Sequence, residues 1–194
     1  MKFRVMITVA AAAMLSACGI NSVPTAEENA KARWADVQTQ YQRRANLIPN
    51  LVATVKAAGA QEKDILVQVT QARASANQVQ VSGGDLTDPN KMAAYQRAQA
   101  GITLSLQRLQ EAYPELKSQG NYTTLMSQLE GTENRISIAL NDYNSAVQAY
   151  NTRIRTFPDA IGAKVFYGAK PMVPYQATAP GAENAPTVNF GNSN

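Results

Sequence analysis

The sequence predicts an all-α fold: an elongated antiparallel up-and-down bundle of three long helices, the first kinked or split near Pro49 for a four-helix-like count, with an irregular C-terminal tail. Three observations carry this. Apolar residues recur at alternating steps of three and four along three successive stretches, as one face of an α-helix requires. Pro and Gly are thin through the middle of the 194 residues and crowd toward the end. The connections between the stretches are short, which forces neighbouring helices to run antiparallel.

The first stretch follows Trp34, Val37, Tyr41, Ile48, Leu51, Val55, Ala58, Ile65, Val69, Ala72, Ala76 and Val79. Pro49 removes a helical hydrogen bond and Gly59 weakens the next turn, so a kink is expected near residues 46–49, where Asn46 is placed to cap a restarted helix. Glu62 falls in the apolar phase beside Gln61, Lys63 and Asp64 and marks a local loosening. Ser82-Gly83-Gly84-Asp85 is a turn, and Asp88-Pro89 reads as N-cap and first helical residue of the second helix. Its seam is Met92, Tyr95, Ile102, Leu106, Leu109 and Tyr113, ending at Pro114. The third helix begins near Asn121 and carries Tyr122, Leu125, Leu129, Ile136, Leu140, Tyr143, Val147, Tyr150, Ile154 and Phe157 until Pro158 stops it. The bundle domain is expected over residues 27–168. Pro171, Pro174, Pro180 and Pro186 mark residues 169–194 as an extended or disordered tail.

The N-terminus reads as an address. Lys2 and Arg4 precede an apolar run from Val5 to Leu15, about half the ~20 residues needed to span a bilayer, and small residues follow. Leu15-Ser16-Ala17-Cys18 resembles the lipobox of bacterial lipoproteins, which implies a signal peptide over 1–17, lipidation of Cys18 and a lipidated tether over 18–26. Acyl chains hold a protein by about 0.8 kcal/mol per buried CH₂, so Cys18 is an anchor to membrane lipid rather than a nucleophile. Gly19 lacks the Asp that resembles an inner-membrane retention signal. The expected location is the cell envelope: the periplasmic face of the outer membrane in a two-membrane host, otherwise the outer face of the cytoplasmic membrane.

Composition removes several function classes. There is no His, and Cys18 is the only Cys, which takes away disulfides and the commonest metal ligands and general base. The formal charge of +4, half of it from Lys2 and Arg4, makes no case for nucleic acid. Glu111 with Glu115, and Glu130 with Glu133, lie on solvated helix faces rather than in a pocket that separates two pKa values. No catalytic residue, metal or cofactor is expected.

The candidate site is polar. Arg43, Arg44, Asn46 and Asn50 cluster near Pro49, and Arg44 occupies a seam position where an apolar residue belongs. Glu130 or Glu133, beside Asn134 on the third helix, is placed to neutralise it, making a buried polar network that fixes helix register. The other reading of Arg43 and Arg44 is a site for a small or anionic ligand.

The segment 42–52, Gln-Arg-Arg-Ala-Asn-Leu-Ile-Pro-Asn-Leu-Val, resembles the signature of the LemA family of bacterial envelope proteins. Two more matches follow in order: Tyr113-Pro114-Glu115-Leu116-Lys117, then Leu129 to Ile136 continuing through Asp142-Tyr143-Asn144, Tyr150-Asn151 and Phe157-Pro158. The resemblance covers about residues 19–168 and implies an elongated helical bundle in the envelope with no established reaction. Many family members look as if they keep an uncleaved N-terminal membrane helix where this chain has a lipobox, and Asn46 stands where Asp is common. The function expected is a non-catalytic, membrane-anchored interaction or scaffold bundle. Its expected partner is another envelope component, such as a membrane protease, a transport complex or the cell wall. Hydrolysis of envelope polymers is a third reading.

Overall fold

The computed structural model describes residues 21–59 and 63–176. Cys18, Glu62 and residues 177–194 lie outside the described residues. Every regular element among the described residues is helical: α1 (Ser22–Ala57), α2 (Lys63–Gln78), α3 (Pro89–Ala112), α4 (Gly120–Arg153) and the short α5 (Asp159–Val165). Single 3-10 turns at Gly83–Asp85 and Pro114–Ser118 complete the connections. At ~1.5 Å per residue, α1 and α4 are each about 50 Å long, and they form the shaft of the bundle. α1 packs along α4, and α2 packs along α3 as a shorter hairpin.

Of the kink or split expected near Pro49 in α1, the structure overturns the split. The helix runs through Pro49 and ends about two turns later, where Gly59 adopts φ +87. That left-handed conformation suits a residue without Cβ and turns the last amides back, Ala58 N–H to Thr54 O at 3.1 Å and Gly59 N–H to Lys56 O at 3.1 Å. Pro49 is tolerated because the carbonyl it leaves without an amide, Ala45 O, accepts from Arg73 Nε of α2 at 2.8 Å. α1 also starts earlier than expected: Ser22 to Ala26, assigned to the tether, are helical, and Val23 is fully buried. At the other end of the chain α4 stops at Arg153, short of Pro158, and Phe157 leaves the expected stripe for solvent.

The turn between α2 and α3 follows its residue chemistry. Ser82 and Asp85 form a reciprocal cap, and the Asp88 carboxylate accepts from the Asn90 and Lys91 amides with Pro89 at the first helical position. Lys91 pairs with Asp85, and that bond, followed by those from Ser82, holds the Asp85 carboxyl well below its usual range. Trp34 Nε1 donates to Val81 O at 2.7 Å and pins the whole connection to α1.

The apolar interior is in two parts. The lower core gathers Val23, Trp34, Val37 and Tyr41 of α1 with Met92 and Tyr95 of α3 and Ile136, Tyr143, Val147 and Tyr150 of α4. The upper core gathers Ile48, Leu51 and Val55 with Leu66 and Val69 of α2, Ile102, Leu106 and Leu109 of α3, and Tyr122 and Leu129 of α4. No described helix is long and apolar enough to cross a membrane.

Residues 169–176, counted with the tail from their prolines, are extended and lie on the bundle as a strap. Met172 is buried and Val173 N–H donates to Leu86 O at 2.8 Å.

Candidate functional site

The polar layer lies between the two cores and is built from residues on three helices. On α1 the seam position after Tyr41 is Arg44, only 1% exposed. Its Nη1 donates to Glu133 Oε1 of α4 at 2.7 Å and to Thr103 Oγ1 of α3 at 3.1 Å. Its Nη2 donates to Gln99 Oε1 at 2.7 Å and to the Gln99 carbonyl at 3.1 Å. The Tyr41 ring lies 4.9 Å from Cζ, close enough for its π face to attract the cation. Nε is the one nitrogen of this guanidinium without a hydrogen-bond partner. Glu133 is different, with its side chain 43% exposed, so the pair joins a dehydrated cation to a partly hydrated anion.

The other candidate residues separate from this cluster. Arg43, Asn46 and Asn50 are on the outer face of α1, where Gln42 Nε2 donates to Asn46 Oδ1 at 2.9 Å. Asn134 is exposed on α4. Glu130 is exposed one turn before Glu133 and faces a different depression with Tyr122 and Lys117. The structure therefore brings together Arg44 and Glu133. It adds Gln99 and Thr103, which sequence reasoning left out, and Tyr41, expected there only as an apolar seam residue. Gln99 had a readable signal: it falls between Tyr95 and Ile102 at steps of four and three, a polar residue in an apolar seam.

Two open grooves flank the layer. One, about 330 Å³, runs between α3 and α4 past Gln96, Thr103, Glu133, Ile136 and Leu140 to Tyr175. The other, about 380 Å³, lies between α1, the end of α2 and α3, beside Gln38, Asn77 and Gln99. Among the described residues no group of His, Cys, Asp and Glu is arranged to hold a metal ion.

Below the layer, α4 holds the strap with two Tyr-Asn pairs seven residues apart. Asn144 donates from Nδ2 to Tyr175 O at 2.9 Å and accepts Tyr175 N–H at 2.8 Å. Asn151 does the same with Met172, at 2.9 and 2.8 Å. Tyr143 OH donates to Val173 O at 2.9 Å and Tyr150 OH to Lys170 O at 3.1 Å. The partners advance by three residues on the strap as they retreat by seven on the helix. Seven helical residues rise ~10.5 Å and three extended residues of polyproline type span ~9.3 Å, so the two repeats nearly coincide. Pro171 and Pro174, each immediately before a clamped residue, fix that extended form.

The strap delivers Tyr175 to Tyr41, with the hydroxyls 2.7 Å apart. Burial, reinforced by Tyr175, pushes the Tyr41 phenol well above its ordinary value, and burial does the same to Tyr95 and Tyr143. Trp34 packs against Tyr95 and Tyr143 with ring centroids 5.3 and 5.0 Å away, closing the aromatic cluster beneath Arg44.

The chain is similar in sequence to known proteins. Magnetosome proteins MamQ 2 and MamQ 1 of Paramagnetospirillum magneticum are each 29% identical to the chain over 157 residues, 71% of this chain and 58% of the relative. Magnetosome protein MamQ of Magnetospirillum gryphiswaldense is 27% identical over 157 residues with the same shares. The chain thus matches somewhat over half the length of these relatives. The LemA family pattern matches residues 33–190, from Arg33 in α1 through the polar layer and the strap, and the chain belongs to the LemA family.

Proposed function

We propose that this protein is a non-catalytic scaffold of the bacterial cell envelope, held at a membrane by lipid on Cys18 and presenting its helical shaft to an envelope protein. The observation that carries this reading is how the polar layer is used. Both terminal nitrogens of Arg44 are bonded within the bundle, and Glu133 is bonded to Arg44, so the charged groups in the seam are spent on holding three helices in register. An anionic ligand at Arg44 has to displace Glu133, which weakens the ligand-site reading. Family membership supports an envelope setting, and the magnetosome relatives are consistent with a place at a membrane.

The test is intact mass and membrane partition of wild type and Cys18→Ser expressed in a bacterial host, followed by cross-linking on intact cells. The expected result is an acylated chain starting at Cys18 that stays with membranes, an unmodified Cys18→Ser chain released from them, and a reproducible cross-linked envelope protein. A soluble, unmodified wild type removes the anchor. An acylated chain with no reproducible cross-link removes the scaffold role.

A further inference from the structure

The exposed large apolar residues are unevenly distributed. Val67, Leu104 and Ile138 are scattered singly over three helices, whereas Phe157, Ile161, Val165, Phe166 and Tyr167 fall within eleven consecutive residues at one end of the bundle. Phe157 is 83% exposed, Val165 69%, Phe166 66% and Ile161 57%. Ile161 and Val165 stand one turn apart on the outer side of α5, whose inner side supplies buried Gly162 and Ala163. Isolated exposed apolar residues need no explanation, but a contiguous group of this kind on a folded surface marks a contact.

Position and charge identify the occupant. α5 packs against α1, and its Ala163 shares the lower core with Val23 at the start of that helix. Cys18 lies only four residues before Ser22 in sequence, and Ser22 begins α1 at this same end. The apolar group is accompanied by exposed Arg155, Lys164 and Lys170. The acidic residues at this end are already engaged: Asp159 faces Arg153 at 3.7 Å, and Glu27 and Glu28 pair with Lys31 at 2.8 and 2.7 Å. Aromatic and aliphatic side chains among Lys and Arg match the interface of a bilayer with anionic headgroups, where rings sit at headgroup depth and cations meet lipid phosphates.

We infer that the end of the bundle formed by Phe157, Ile161, Val165 and Phe166 is a membrane-insertion tip that seats the shaft upright on an anionic bilayer. It takes from the anchored reading only the side of the molecule that faces lipid, and it adds a second, protein-borne contact that fixes orientation. Attachment at Cys18 alone is a single point and does not set the tilt of the shaft. Insertion of the tip stands it up and carries the polar layer and the far end of α1 away from the surface.

The test uses the full chain in vesicles of phosphatidylcholine and phosphatidylglycerol whose acyl chains are brominated. Phe166→Trp places a reporter in the tip and Val67→Trp places one near the opposite end; both replace exposed residues, and the native Trp34 is buried in the core. The expected result is blue-shifted emission from the tip reporter, quenched at least about twofold more than emission from the far-end reporter. Adding Val165→Asp to the tip reporter should reverse the quenching. A bound chain with both reporters unquenched overturns the tip, and a blue shift without quenching assigns the patch to a second copy instead. Equal quenching of both reporters means the shaft lies flat and also overturns it. Mass measured on the same samples separates the two readings: a quenched tip on an unacylated chain removes only the anchor, an unquenched tip on an acylated chain removes only the insertion, and a chain neither acylated nor vesicle-bound removes both.

Discussion

Arg73 of α2 donates from Nε to the carbonyl of Ala45 at 2.8 Å, the carbonyl that Pro49 deprives of its helical partner. A proline inside a helix costs about 3 kcal/mol, part of it a buried acceptor left unsatisfied. Here the neighbouring helix supplies the donor. Pro49→Ala restores an amide to Ala45 and is expected to raise the melting temperature. Arg73→Met is expected to cost about 1–2 kcal/mol in the wild type and clearly less in Pro49→Ala, because the carbonyl is then already satisfied. Urea unfolding of the four proteins in a double-mutant cycle measures the coupling, and additive effects would show that the bond is incidental.

The Arg44–Glu133 pair predicts an asymmetry. Removing Glu133 strands a fully buried cation, whereas removing Arg44 leaves a carboxylate that water already reaches. Glu133→Ala should therefore cost about 2–3 kcal/mol, less than breaking a fully buried pair because water partly replaces the carboxylate. Arg44→Met, which keeps most of the apolar stem, should cost about 1 kcal/mol, chiefly through unpaired Gln99. Denaturant midpoints compare the two, and the reverse order would contradict this account of the layer.

Each Asn clamp makes two hydrogen bonds to one strap residue, and Asn144→Ala or Asn151→Ala is expected to cost about 1–2 kcal/mol locally. The effect should appear as faster amide exchange at Met172 and Tyr175, with the α1 and α4 amides unchanged. Uniform acceleration across the helices would mean that the strap is part of the global folding unit.

Tyr41, Tyr95, Tyr143 and Tyr175 are all pushed above the ordinary value of 10.0, first by burial. The fold keeps these phenols protonated while the unfolded chain ionises them, so their contribution is complete below pH 10 and is lost as pH rises toward their folded values. Stability should fall between about pH 9 and about pH 11 with a slope of up to about 1.4 kcal/mol per pH unit for each such tyrosine. Urea midpoints across that range, with tyrosinate absorbance followed in parallel, check the sign. Tyr41→Phe should flatten the slope, and ionisation in the still-folded chain would refute the linkage.

The helical stretches and both central turns are legible in the sequence because they are local: the seam residues, Asp88-Pro89 and Pro114 act through their immediate neighbours. The end of α1 is legible in Gly59, but its continuity through Pro49 is not, because Pro49 reads as a possible split only until a donor from α2 is present, and that donor, Arg73, lies on a separate helix. Arg44 is legible as a misplaced charge, and Glu133 as a candidate partner. Gln99 is not obvious without counting polar residues in the seam, and Arg43, Asn46, Asn50, Glu130 and Asn134, near Arg44 or Glu133 in sequence, point elsewhere because a helix turns neighbours apart. The strap escapes for another reason. Its prolines rule out helix and strand pairing alike, and only the Tyr-Asn repeat on α4 shows that extended chain has somewhere to bind.

That repeat makes the clamp work as a vernier. A helical ruler marked every seven residues reads an extended scale marked every three, and the two graduations align at Met172 with Asn151 and at Tyr175 with Asn144. Since Asn144 and Asn151 grip backbone, a slip that brings Pro171 and Pro174 opposite them removes the N–H that each Asn oxygen accepts. The strap is indexed rather than merely stuck, and its length from Gly168 sets where Tyr175 meets Tyr41.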